Sequence, residues 1–267
     1  MKDKGESMIV QTKKILMGIS IVGVLFMPVL AIEINSATQA VDIAGKQRMF
    51  TQRMLKDYAM IGMNNTFGKP DLDLKKIVDD FNTHLKSLLK YTKNDETKQS
   101  LKKVETLWKP LKKTLLEVPT KEKVGKLQEN LELLLKAADS TTKLFAKESG
   151  KESGQIVNVS GRQRMLSQRM ASLYMLRVWG VEDPQFKIKL DGAMKLFKDS
   201  LLELENAKLN TEEISALLVK VKRSFMFFEM MGKSNSKFIP TLIYKKSNDM
   251  LKNMNNVTQK YVALESK

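Results

Sequence analysis

Ala44-Gly45-Lys46-Gln47-Arg48-Met49-Phe50-Thr51-Gln52-Arg53-Met54 recurs as Ser160-Gly161-Arg162-Gln163-Arg164-Met165-Leu166-Ser167-Gln168-Arg169-Met170, 116 residues later. Eight of the fifteen positions from 44 to 58 are identical, ending with Tyr58 and Tyr174, so the chain contains two copies of one unit. The register continues with Phe81 and Leu85 answering Phe197 and Leu201. It then slips by one residue, with Val104, Leu134 and Glu148-Ser149 answering Val221, Leu251 and Glu265-Ser266, as a loop insertion would give. The expected units are residues 33–149 and 150–267.

Apolar spacing and breakers predict four helices in each unit, at about 34–64, 71–92, 96–117 and 121–148, then 152–180, 184–207, 211–237 and 240–265. The breaks fall at Gly68-Lys69-Pro70, Lys93-Asn94-Asp95 and Val118-Pro119-Thr120, then from Gly180 to Pro184, from Asn206 to Asn210 and at Pro240. Only 13 Gly and 6 Pro in 267 residues leave too few turns for a sheet protein of this length. The fold class expected is all-α, as two tandem four-helix up-down bundles. The polar tract Ala146 to Gly154 reads equally as a hinge or as a helix running from one bundle into the next.

Lys13 and Lys14 precede an uncharged run from Ile15 to Ile32 that contains Val29-Leu30-Ala31. That order is an export signal, so residues 1–32 are expected to be a cleaved signal peptide or an uncleaved membrane anchor, with the rest of the chain periplasmic. A net charge of +16 attracts anions by its long-range field, but the lysines alternate with acids along the whole chain and name no partner. There is no nucleic-acid fingerprint, so no nucleic-acid partner is expected. With no cysteine, no phosphate-binding glycine loop and His84 as the single histidine, no catalytic residue, metal or cofactor is expected, and His84 reads as solvated. Lys102-Lys103 and Lys112-Lys113 read as solvated helix faces.

At 100° per residue, Gly45, Arg48, Gln52 and Ala59 share one face of the repeated helix, and Phe50, Met54, Tyr58 and Ile61 share another. The second copy rebuilds the first face with Gly161, Arg164, Gln168 and Met175. The apolar face is bundle core. On the other, a glycine one turn before an arginine lets a second helix approach just where the guanidinium would lose its water. An arginine cannot escape burial by deprotonating and needs a carboxylate, a carbonyl or a bound anion. From spacing alone, Arg48, Arg53, Arg164 and Arg169 either hold a small planar oxyanion or sit in solvent or pair with acids of neighbouring helices.

Residues 161–170 closely resemble the signature that opens the type IV pili methyl-accepting chemotaxis transducer N-terminal domain. This is the PilJ-like family, similar to the periplasmic sensor region of NarX-like nitrate-sensing kinases. The resemblance implies a four-helix bundle that dimerises through its first helix, with one nitrate or nitrite between symmetry-related arginines. Carried onto this chain, the anion-binding residues are Arg48 and Arg164, with Gly45 and Gly161 at the close approach of helices and Gln52 and Gln168 supporting the site. The polar residue before the motif is Asp42 in the first copy and Asn158 in the second, where the family favours Asn, and Asp42 is expected to weaken anion binding. The 267 residues carry no HAMP linker, kinase or methyl-accepting domain, so a membrane-bound signalling partner is expected. Two copies on one chain are expected to replace the homodimer by bringing Arg48 opposite Arg164. If the copies face outward instead, the whole protein forms a homodimer.

Overall fold

A computed structural model describes residues 32–150, 152–233 and 239–264. Residues 1–31, which hold all but the last residue of the expected export segment, lie outside the described residues, as do Glu265 and Ser266. The described chain contains eight helices and no strand: α1 Ala37–Gly62, α2 Pro70–Tyr91, α3 Asp95–Leu115, α4 Lys121–Ser149, α5 Glu152–Val178, α6 Phe186–Glu205, α7 Glu212–Lys233 and α8 Pro240–Ala263. Among the described residues no helix is long and apolar enough to cross a membrane.

Helices α1–α4 form one antiparallel bundle and α5–α8 the other, as the apolar spacing predicts. The bundles meet along α1 and α5, the two helices that carry the repeated motif. α1 packs against α2, α4 and α5, and α5 packs against α6, α8 and α1. That position explains the sequences of both helices, because a helix touched on every side has no polar face to spare for water. α1 accordingly buries 20 of its 26 residues, whereas the outer helix α3 buries only 6 of 21. Many residues buried in α1 are polar, and each needs a partner inside the fold.

Local signals set the helix ends. Ser36 caps α1 by accepting from the Gln39 amide at 3.1 Å, and Asn94 caps α3 by accepting from the Thr97 amide at 3.1 Å. Pro70 and Pro240 begin α2 and α8, where a missing N–H costs nothing. The tract from Ala146 to Gly154 is not one through-running helix. α4 stops at Gly150, whose φ of 62° is left-handed, and α5 restarts at Glu152.

The two cores correspond residue by residue. Phe81 stacks on Trp108 with ring centroids 4.2 Å apart, and Phe197 stacks on Phe225 at 4.6 Å. Those pairs place α3 and α7 in the slipped register. In α4 and α8 the expected slip is wrong, because the 116-residue offset returns. Thr142 donates to the carbonyl of Ala138 and Thr258 to that of Met254, both at 2.7 Å, and buried Phe145 answers buried Tyr261. Leu134 therefore corresponds to Met250. The extra residue lies in the α6–α7 connection, and the connection before α8 compensates for it.

His84 is also not solvated. It is 7 % exposed, its ring lies 5.1 Å from that of Phe50, and burial, with Lys46 adding to it, holds its pKa at about 4. An unfolded imidazole binds its proton below about 6.5, so between pH 6.5 and 4 the unfolded chain takes up more protons than the folded one. Stability should therefore fall as pH drops through this window, by on the order of 3 kcal/mol from this group. Urea denaturation across pH 4–7 should show His84→Met losing that much of the slope relative to the native protein.

Candidate functional site

Gly45 and Gly161 face each other where α1 crosses α5. A Cβ built on Gly45 would lie 3.9 Å from the Gly161 Cα, and one on Gly161 would lie 3.9 Å from the Gly45 Cα. An added Cβ would thus meet the facing backbone at ordinary contact distance. The same two Cβ positions lie 3.1–3.4 Å from the Nη2 atoms of Arg48 and Arg164, so both guanidiniums converge on the glycine contact. Both arginines are fully buried. The structure therefore brings together four of the six expected site residues, and sets Arg48 opposite Arg164 within one chain.

Each guanidinium is held by one carboxylate and one amide. Arg48 Nη1 donates to Asp139 on α4 at 2.7 Å and to the side chain of Asn158 on α5 at 2.9 Å, while its Nη2 donates to the Asn158 carbonyl at 3.0 Å. Arg164 Nη1 donates to Asp42 on α1 at 2.7 Å and to the side chain of Asn255 on α8 at 3.2 Å, while its Nη2 donates to the Asp42 carbonyl at 3.3 Å. The positions are equivalent under the repeat, 42 with 158 and 139 with 255, but the chemistry is exchanged. The carboxylate comes from the facing helix in one half and from the arginine's own bundle in the other.

These pairs set the electrostatics. Burial alone would raise the Asp42 carboxyl, but Arg164 and Lys46 beside it hold it at about 2. Burial lowers Arg48 to about 10 against the opposing pull of Asp139, so it remains charged at neutral pH. Among the described residues, the Nε–H of each arginine has no hydrogen-bond partner. Two buried donors are thus left over beside the glycine contact, a costly arrangement unless something accepts from them.

Gln52 and Gln168 lie elsewhere, in a second polar layer about one turn further along the same interface. Gln52 donates to Glu132 at 3.3 Å and accepts from Ser172 at 3.3 Å. Gln168 donates to the Ser247 carbonyl at 3.1 Å and accepts from Lys56 at 2.8 Å. Neither bonds to Arg48 or Arg164. The other motif arginines follow the plain ion-pair reading, with Arg53 donating to both oxygens of Asp73 and Arg169 to both oxygens of Glu132. Lys56 is fully buried, donates also to Asn248 at 2.9 Å and lies 4.3 Å from the Tyr244 ring centre, and burial lowers it to about 8. Asp57 lies beside it, and burial pushes its carboxyl well above the ordinary range.

Sequence reasoning missed Asp139, Asn255 and the Lys56–Asp57 pair. The first two are equivalent polar residues on the fourth helix of each unit, outside the repeated motif, and the assumed slip in α8 concealed the match. Lys56 and Asp57 correspond to Ser172 and Leu173, so the repeat gives no sign of them.

A family model described as "Type IV pili methyl-accepting chemotaxis transducer N-term" matches residues 30–140 and 145–224. The chain belongs to this PilJ-type family. The family's domain is the sensing part of signalling proteins, which gives the chain a role in signal reception. No curated protein and no solved structure matches the chain.

Within this PilJ-type pair the two arginines differ in what they leave behind. Removing Arg164 leaves Asp42, whose side chain is 3 % exposed, with Lys46 and Gln259 alone to offset a buried charge, whereas removing Arg48 leaves Asp139, which is 28 % exposed, reached by water and still paired with Lys143. Arg164→Met should cost about 3–5 kcal/mol in urea denaturation, and Arg48→Met clearly less.

Proposed function

We propose that the chain is the input module of a signalling system, that it takes a small planar oxyanion such as nitrate or nitrite between Arg48 and Arg164, and that it relays occupancy to a separate membrane-bound partner. In this reading residues 33–149 and 150–267 are the two sensor units, and residues 1–32 deliver or anchor them on the periplasmic side. The observation that carries the proposal is the pair of partnerless Nε–H groups on two fully buried guanidiniums that converge on one glycine contact. A planar oxyanion offers oxygens in the geometry a guanidinium fork prefers, and two facing arginines gain from any negative charge placed between them. Such an anion would bond to α1 and α5 together, so its binding would act on the contact that joins the bundles.

A second reading rests on Asp42 and Asp139. These carboxylates already supply the charge a ligand would bring, so the motif serves packing alone and the protein is a helical interaction module. Thermal unfolding of the full chain at low ionic strength, against nitrate, nitrite, sulfate, chloride and formate, separates the two. The sensor reading expects one oxyanion to raise the melting temperature at concentrations where the others do nothing, and Arg48→Lys to abolish that shift. A flat response, or equal shifts from every salt, favours the packing module.

A further inference from the structure

The two halves of the arginine pair are chemically matched but mechanically unequal. Asp42, the carboxylate of Arg164, is locked in place. It is buried between α1, α5 and α8, and it accepts from Lys46 at 2.9 Å and from Gln259 at 2.8 Å as well as from Arg164. Asp139, the carboxylate of Arg48, is not. Its side chain is 28 % exposed and reaches inward from α4, and its second oxygen pairs at 2.6 Å with Lys143, itself 59 % exposed. A rotation of Asp139 toward solvent keeps the Lys143 pair and hydrates the carboxylate, so release costs little. The same rotation at Asp42 would strand a charge among apolar helices.

The repeat supplies the comparison within one molecule. The residue equivalent to Asp139 is Asn255, which approaches Arg164 at 3.2 Å and carries no charge. An amide serves in that position because Arg164 already has Asp42, whereas Arg48, facing the neutral Asn158, has Asp139 as its carboxylate. What the carboxylate adds at Arg48 is negative charge, the property a ligand would bring.

We infer that Asp139 is a built-in anionic occupant of the Arg48 half of the site, which an external oxyanion must displace to bind. The inference rests on the anion-site reading of Arg48 and Arg164. Asp139 thereby sets the concentration at which the site responds. Displacement swings the Asp139 side chain outward together with its Lys143 partner, so occupancy changes the surface of the first bundle.

The test compares the native full-length chain with Asp139→Asn and Asn255→Asp, titrating nitrate, nitrite and formate at low ionic strength and reading melting temperature and, by calorimetry, affinity. Asp139→Asn should melt lower than the native protein without anion, because Arg48 then has only amide partners. It should bind the preferred anion about tenfold tighter or more, the effect of removing one competing charged hydrogen bond. Asn255→Asp, with a second internal carboxylate, should bind at least tenfold more weakly. If the native chain binds no anion but Asp139→Asn does, the sensor reading fails for the native protein while the self-occupancy stands. If the native chain and Asp139→Asn bind with equal affinity, self-occupancy is overturned and the sensor reading survives. Binding by neither overturns both, and an Asp139→Asn chain that fails to fold and is not rescued by anion overturns self-occupancy alone.

Discussion

Two arginines fully buried in the joint between two bundles are the constraint on which the rest of the structure depends. A guanidinium cannot give up its charge, so each of Arg48 and Arg164 must find a carboxylate and enough acceptors inside the fold. The chain meets that demand by crossing. Arg48 takes its carboxylate from α4 but two further acceptors from α5, and Arg164 takes its carboxylate from α1, so each arginine draws on both bundles and the two are tied together. The glycines at 45 and 161 follow from the same demand, since only a close crossing lets each fork reach the facing helix. The polar layer of Lys56, Gln168 and Asn248 continues the joint further along, with cation and acceptors again drawn from both bundles.

Seen this way, Asp42 has a different meaning from the one its departure from the family's Asn suggests. Read alone, it adds charge that repels an anion. In the fold it is one term of an exchange, because Asn255 stands where the first copy has Asp139. Each half holds one carboxylate and one amide, with their places swapped. The cluster of two arginines and two aspartates is neutral, and Lys46 and Lys143 border it. The exchange also makes the two halves unequal in exposure.

Much of this was legible in the sequence. The helix spacing gave eight helices with ends close to those observed, and the glycine-to-arginine spacing singled out the four residues that meet where α1 crosses α5. The failures have physical reasons. Asp139 and Asn255 are contributed by helices distant in sequence, where they sit among other polar residues, Ser140 to Lys143 and Asn253 and Asn256, and nothing singles them out. Gln52 lies on the Arg48 face by angle, yet one turn of rise places it in another layer with other partners. His84 sits among lysines in sequence, but the side of α2 it occupies faces Phe50, so neighbours in the chain misrepresented its surroundings.

The close crossing of α1 and α5 within one chain is the most direct point of test. The protein has no cysteine, so Gly45→Cys combined with Gly161→Cys introduces a single pair, each Cβ 3.9 Å from the other residue's Cα. On oxidation the account predicts an intramolecular disulfide, seen as a faster-migrating monomer on a non-reducing gel. A bond formed only between chains, or none under conditions where the double variant is folded, would contradict it.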